Sequence, residues 1–261
     1  MTTHRLTAFA TTTAAAAAAA TLLPATAPAA PAAQTAWPVV AIVRVAKPAL
    51  APRAFIAAKM REAQPEYARL DGLAFKAFSF ERETSDFGGV YLWRDEATAR
   101  AWFNDAWFAR FKRERGVEGQ VRFFVAPVTL DNQPGGTPAD ERSASVVTLV
   151  EIAVPPGLGA DRLLAGFKAA VPQYQAIPGL LRKSFTWQAG PDGTPVAFGG
   201  VYLWRDEASA RAWFTEAWHA RVQQTYGRAA RIEWFDTPIL LPNAAATAAL
   251  SQAGALVVAA P

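Results

Sequence analysis

The chain has 261 residues, 52% hydrophobic and 18% charged, a globular balance that excludes wholesale disorder and an integral membrane protein. Its net charge of +4 and pI near 9.6 come from basic residues interleaved with acids, as in RDEATAR at 94–100, so there is no basic stripe for nucleic acid. With no cysteine and only two histidines, disulfides, thiolate metal sites, a cysteine nucleophile and a histidine-cluster metal centre are excluded.

Residues 1–36 read as an export leader, with a cationic start at Arg5, a weakly apolar run from Leu6 to Leu23, and small residues around Ala27 to Ala33 for cleavage. The run is rich in Ala and Thr and broken by Pro24, which argues against a stable membrane anchor. The expected location is periplasmic or secreted, or cytoplasmic if the leader is only a low-complexity segment.

Beyond the leader the chain repeats itself. FGGVYLWRDEATARAWF at 87–103 returns as FGGVYLWRDEASARAWF at 198–214, VVAIVRVA at 39–46 as VVTLVEIA at 146–153, and VRFFVAPVTL at 121–130 as IEWFDTPILL at 232–241. One unit spans 37–132 and a second 146–243, with a polar Pro/Gly linker at 133–145. No structure is assigned to the Ala-rich tail, 244–261.

Each copy begins with a β-branched strand, Val39 to Ala46 in the first. A helix follows, marked by Ile56, Met60, Ala63 and Tyr67, mirrored by Leu163, Phe167, Ala170 and Tyr174; Pro65 and Pro172 kink or end it. Strand two starts after Gly72 and Gly179, and a polar turn, four residues longer in copy two, leads to strand three, GGVYLWR. Asp95 and Asp206 cap one second helix, whose inward stripe is Ala99, Phe103, Ala106 and Trp107, or Ala210, Phe214, Ala217 and Trp218. A fourth strand closes a βαββαβ unit, which is ferredoxin-like. Helices cover one sheet face, and the other needs a partner. The expected fold is therefore α+β, two ferredoxin-like units packed sheet to sheet as a dimer within one chain, with a higher oligomer left open.

The segment Gly88 to Ala99, repeated at Gly199 to Ala210, resembles the hallmark of the YdhR-type monooxygenase-like proteins of the dimeric α+β barrel superfamily. Pro178-Gly179-Leu180-x-x-Lys183 looks like the same family, Gly72-Leu73-x-x-Lys76 follows without the proline, and Ala109-Arg110 and Ala220-Arg221 fall where the family carries a similar pair. The resemblance implies that the two units form an intramolecular dimeric α+β barrel, and it implies a cofactor-independent monooxygenase acting on an aromatic or polyketide-like molecule. It departs from the usual single short domain in being fused in tandem and carrying a leader.

Several residues invite chemistry. Lys76 and Lys183 recur in the aromatic face of strand two and are either a base or counter-charge for a substrate enolate, or surface-reaching lysines with packed stems. Arg110 and Arg221 either clamp a carboxylate or phenolate or bond locally to the helix. Trp93, Trp204, Trp107 and Trp218, with Tyr67, Tyr174, Tyr91 and Tyr202 as polar handles, either line a flat substrate pocket or form ordinary core. His219, which replaces Phe108, offers an acid/base or haem ligand in copy two alone, or is a plain surface residue. The partner is thus a small aromatic or apolar molecule, with no cofactor or metal implied by the leading reading. The alternatives are a non-catalytic exported binder and a haem-binding barrel. Finally, Arg44 and Arg122 correspond to Glu151 and Glu233, charge reversals expected to face each other across the pseudo-twofold axis and to favour unlike halves, or to be surface drift.

Overall fold

The structure is a computed structural model describing residues 37–132, 145–252 and 256–259. The leader and most of the linker lie outside the described residues. The first unit comprises β1 (Val39–Val45), α1 (Arg53–Tyr67), β2 (Leu73–Glu81), β3 (Phe87–Trp93), α2 (Glu96–Trp102), α3 (Asp105–Arg115) and β4 (Gly119–Asp131). The second repeats it as β5 (Ser145–Ala153), α4 (Ala160–Gln175), β6 (Leu180–Ala189), β7 (Pro195–Trp204), α5 (Glu207–Trp213), α6 (Glu216–Tyr226) and β8 (Arg231–Pro242). The tail forms α7 (Ala244–Gln252) and a short strand β9 (Leu256–Ala259). Among the described residues no helix is long and apolar enough to cross a membrane.

Within each unit the strands run antiparallel in the order β4-β1-β3-β2 or β8-β5-β7-β6, the ferredoxin-like arrangement. The units are stitched along both edges, β2 to β8 from Phe75↔Pro242 to Glu81↔Phe235, and β4 to β6 from Val125↔Trp187 to Asp131↔Arg182. The result is an eight-stranded closed barrel, with β9 added parallel to β4. Closure satisfies backbone groups that two separate sheets would leave open at their edges. The chain is thus an intramolecular α+β barrel.

Strand alternation sorts side chains between two environments. Ile42, Val90, Phe124, Leu149, Val201 and Phe235 turn inward and make one core drawn from both units, which Leu250 of α7 joins with no exposure. Their neighbours turn outward beneath the helices and form separate cores. Inside the barrel a gap of about 20 Å³ remains, beside Phe75, Val147 and Arg182. That is at most room for one water, so this gap holds no substrate.

The reversed charges meet at one end of the barrel interior. Arg122 pairs with Glu151 and, at 3.2 Å, with Glu233, while Arg44 pairs with Glu233. The Glu233 side chain is only 3% exposed, so these are not drifting surface charges. The second helix of each unit differs from expectation, since it is two helices. The chain leaves helical geometry at Phe103 (φ −87°, ψ 59°) and Phe214 (φ −82°, ψ 58°). Asn104 and Thr215 then restart it, their side chains accepting from Trp107 N at 2.9 Å and Trp218 N at 3.2 Å. The break drops both Phe103 and Trp107 into the core and leaves Ala106 and Ala217 exposed, outside the inward stripe.

Candidate functional site

The second unit holds a cavity of about 420 Å³ between its outer sheet face and helices α4 and α6. Phe167, Phe185, Phe198, Trp213, Trp218 and Tyr226 wall it, Lys183 and Tyr202 reach it from the sheet, and Arg162 and Arg221 belong to its lining from the exposed helix faces. The equivalent space in the first unit is about 90 Å³. Two positions explain the contrast. Where the second unit has Val222, the first has Phe111, stacked on Trp107 with centroids 4.9 Å apart; where the second has Gly166, the first has Lys59.

Lys183 sits on β6, whose alternation turns it outward with Phe185 and Trp187. It is 2% exposed, and Lys76 is 1% exposed, so neither ammonium reaches water along a packed stem. The Lys183 Nζ donates to Tyr202 Oη at 2.9 Å, and Tyr202 is hydrogen-bonded in turn to Tyr174. Three ring centroids surround the same nitrogen, those of Tyr174 at 3.2 Å, Phe185 at 3.9 Å and Tyr202 at 4.3 Å. Lys76 repeats this against Tyr67, Phe78 and Tyr91 at 2.9, 3.8 and 4.4 Å.

Burial pushes the Lys183 amine well below the usual lysine range. It does the same at Lys76, where Glu66 partly opposes it. Tyr202 and Tyr91 are driven well above the phenol range, by burial first and then by their tyrosine neighbours, and burial raises Tyr174 as well. The site therefore pairs an amine of weakened proton affinity with phenols that stay protonated. It can accept a proton, and the ring faces would stabilise the ammonium that results.

The double glycine of the repeated segment is what lets the lysine lie there. A Cβ at Gly199 would come 2.1 Å from Val150 O, and one at Gly88 2.0 Å from Val43 O, so the first glycine admits the neighbouring strand. A Cβ at Gly200 would sit 2.8 Å from Ser184 O and 3.1 Å from Lys183 Cε, so the second glycine leaves room for the lysine stem. The sequence shows the pair only as a family marker and does not reveal this link. It misses Arg162, Phe167 and Val222 too, because cavity lining depends on how α4 and α6 sit on the sheet.

The remaining predicted residues separate. Tyr174, Tyr202, Trp218 and Arg221 line the cavity with Lys183; Trp204 lies behind it, fully buried, its Nε1 donating to Thr148 Oγ1 at 3.0 Å. Tyr67, Tyr91, Trp107 and Lys76 surround the small space of the first unit, and Trp93 is core. Arg110 is exposed and outside that lining, and His219 is exposed on α6 with its ring edge-on to Trp218, away from the cavity wall. Among the described residues no cluster of His, Asp and Glu could hold a metal. A larger groove of about 540 Å³ lies between α1 and α5, but its charges already satisfy one another, Arg53 to Asp236 at 2.7 Å and Arg82 to Asp236 and Glu207 at 2.7 and 3.0 Å.

No family model and no curated protein matches the chain. Solved structures do. A putative monooxygenase from Fusobacterium nucleatum aligns with a TM-score of 0.58 and 11% identity over 80% of this chain and 96% of its own. One from Lactobacillus acidophilus gives 0.51 and 11% over 79% and 96%, and an anthrone oxidase-like protein 0.50 and 10% over 80% and 93%. The chain therefore shares the α+β barrel fold of these proteins, here with both ferredoxin-like units in one chain. At these identities the likeness is one of fold, and activity has to be argued from the site.

Proposed function

We propose that the second unit binds a flat, acidic aromatic or polyketide-like molecule and deprotonates it, so that the substrate anion can react with dioxygen without a cofactor. The observation that carries this reading is the buried Lys183–Tyr202–Tyr174 chain at an aromatic-walled cavity of about 420 Å³. Lys183 is the base, Tyr202 holds its nitrogen, and the ring faces stabilise the ammonium as the substrate anion forms. Arg162 and Arg221 favour an anionic substituent near the rim. The walls exclude water, which would otherwise quench the carbanion. The first unit carries the same triad without room for a substrate, so in this reading its role is structural.

Oxygen consumption across a panel of hydroxy-aromatic and anthrone-like compounds tests the proposal. Lys183→Met is expected to lower turnover by about 100-fold or more, in the range of a lost general base. Val222→Phe, which imports the first unit's residue, should abolish substrate binding, whereas Lys76→Met should leave turnover intact. Turnover should also fall as pH drops through the lowered pKa of Lys183. A compound retained in the cavity with no oxygen consumed would make the chain a binding protein instead. The leader implies that this chemistry takes place in the periplasm or outside the cell, which N-terminal sequencing of the exported protein would test.

A further inference from the structure

We propose that Lys183 is also a nucleophile, which captures planar aromatic aldehydes, preferentially anionic ones, as an imine in the second unit's cavity. The proposal shares the cavity and the lysine of the function above but none of its oxygen chemistry.

Three features support it. First, Lys183 is a lining residue of a cavity large enough for a substituted benzene ring, with its nitrogen held against the rings that wall it, while its counterpart Lys76 borders only about 90 Å³. Second, Tyr202 Oη lies 2.9 Å from Nζ, close enough to exchange a proton with both the amine and an oxygen bonded to the same carbon. Third, the faces of Tyr174, Phe185 and Tyr202 that would hold an ammonium hold an iminium equally well, because both are cations centred on the same nitrogen. Burial also weakens the hold of the amine on its proton, which favours the free lone pair such a reaction needs.

The step balances without an oxidant or reductant. The amine lone pair forms a bond to the carbonyl carbon, the C=O π pair moves to oxygen, and a proton passes from nitrogen to that oxygen through Tyr202. A second proton, delivered by the same phenol and restored from solvent, lets the hydroxyl leave as water. The product is the lysine iminium, and water is the only other product. The aromatic walls slow its hydrolysis, and Arg162 and Arg221 select a carboxylate or phenolate on the ring.

The test is reductive trapping of the full-length protein with 4-formylbenzoate and cyanoborohydride at pH 7, under argon, read by peptide mass spectrometry. Lys183 is expected to carry the secondary amine at least about tenfold faster than Lys76, which borders the smaller space, or the exposed Lys59, Lys112 and Lys168, which line no aromatic cavity of that size. Val222→Phe should reduce labelling of Lys183 about tenfold, and circular dichroism would verify that this variant is folded. Benzaldehyde, lacking the carboxylate, should label more slowly than 4-formylbenzoate. Labelling of Lys183 no faster than of Lys76, or unchanged by Val222→Phe, would overturn the proposal. Because oxygen is excluded, a protein that traps the aldehyde but never consumes oxygen sinks only the oxygenase reading, and the converse result sinks only this one.

Discussion

Lys76 and Lys183 are placed at a cost to stability. Each has a lowered pKa in the folded chain against about 10.4 when unfolded, so the native state binds fewer protons between those two values. Native stability must then rise with pH from the lowered value up toward about 10, and at neutral pH the burial is unfavourable. Lys76→Met removes the penalty while keeping the volume. It is expected to raise the unfolding free energy at pH 7 by about 1 kcal/mol or more, roughly what one pKa unit is worth, with the gain shrinking toward pH 10. Urea unfolding at both pH values measures it; an equal gain at both would mean that the amine carries no such penalty. The identity of these lysines was legible in the sequence, since each recurs in an aromatic strand face. Their burial was not, because a strand pattern shows which face a side chain takes but not whether a helix seals it off.

At the scale of elements, the repeated FGGVYLW strand is the part whose role changed most. Its first glycine is a packing requirement, since a Cβ at Gly199 would overlap the carbonyl of Val150, a backbone atom held in the β5 ladder. Gly199→Ala should therefore cost about 3 kcal/mol, the upper range for overpacking in a core, read as a shift in the urea midpoint. A loss below about 1 kcal/mol would show that the strand can move aside. The helix caps behaved as their residues suggest: Asp95 accepts from Thr98 N at 2.7 Å and Asp206 from Ser209 N at 2.8 Å. The break into α2 and α3 had a signal too. Asn104-Asp105 and Thr215-Glu216 are start signatures, hidden by the continuous helical spacing of Ala99, Phe103 and Trp107.

For the whole molecule, the barrel end explains why the halves remain unequal. The first unit supplies Arg44 and Arg122, and the second Glu151 and Glu233. Two copies of the first unit would gather four arginines about the twofold axis, and two of the second four glutamates, so pairing of unlike halves is favoured by repulsion in the alternatives. Arg44→Glu leaves Glu233 facing a like charge inside the barrel and should cost about 3–5 kcal/mol, as for other broken buried pairs. Glu233→Arg in the same chain re-forms that contact with the charges exchanged but sets the new guanidinium against Arg122 and Arg231, each 3.2 Å from Glu233, so it should recover only part of that loss. Glu151→Arg, the partner expected from alignment alone, should recover less, since Arg44 is paired with Glu233. Unfolding midpoints and size-exclusion profiles of the single and double variants test this. A neutral Arg44→Glu would remove the role assigned to the cluster.

The sequence by itself determined the duplication, the four strands and first helix of each unit, the charge reversals and the residue types of the candidate site, because these follow from repeat, periodicity and turn chemistry along the chain. Tertiary structure alone decided that the expected barrel closes through β2–β8 and β4–β6, that it is filled, and that, among the described residues, the space between sheet and helices is larger in the second unit. The reason is physical. Edge pairing and cavity volume are set by which distant surfaces meet, and a single exchange of Phe111 for Val222 across such a contact, unremarkable in either helix, contributes to whether there is space for a ligand.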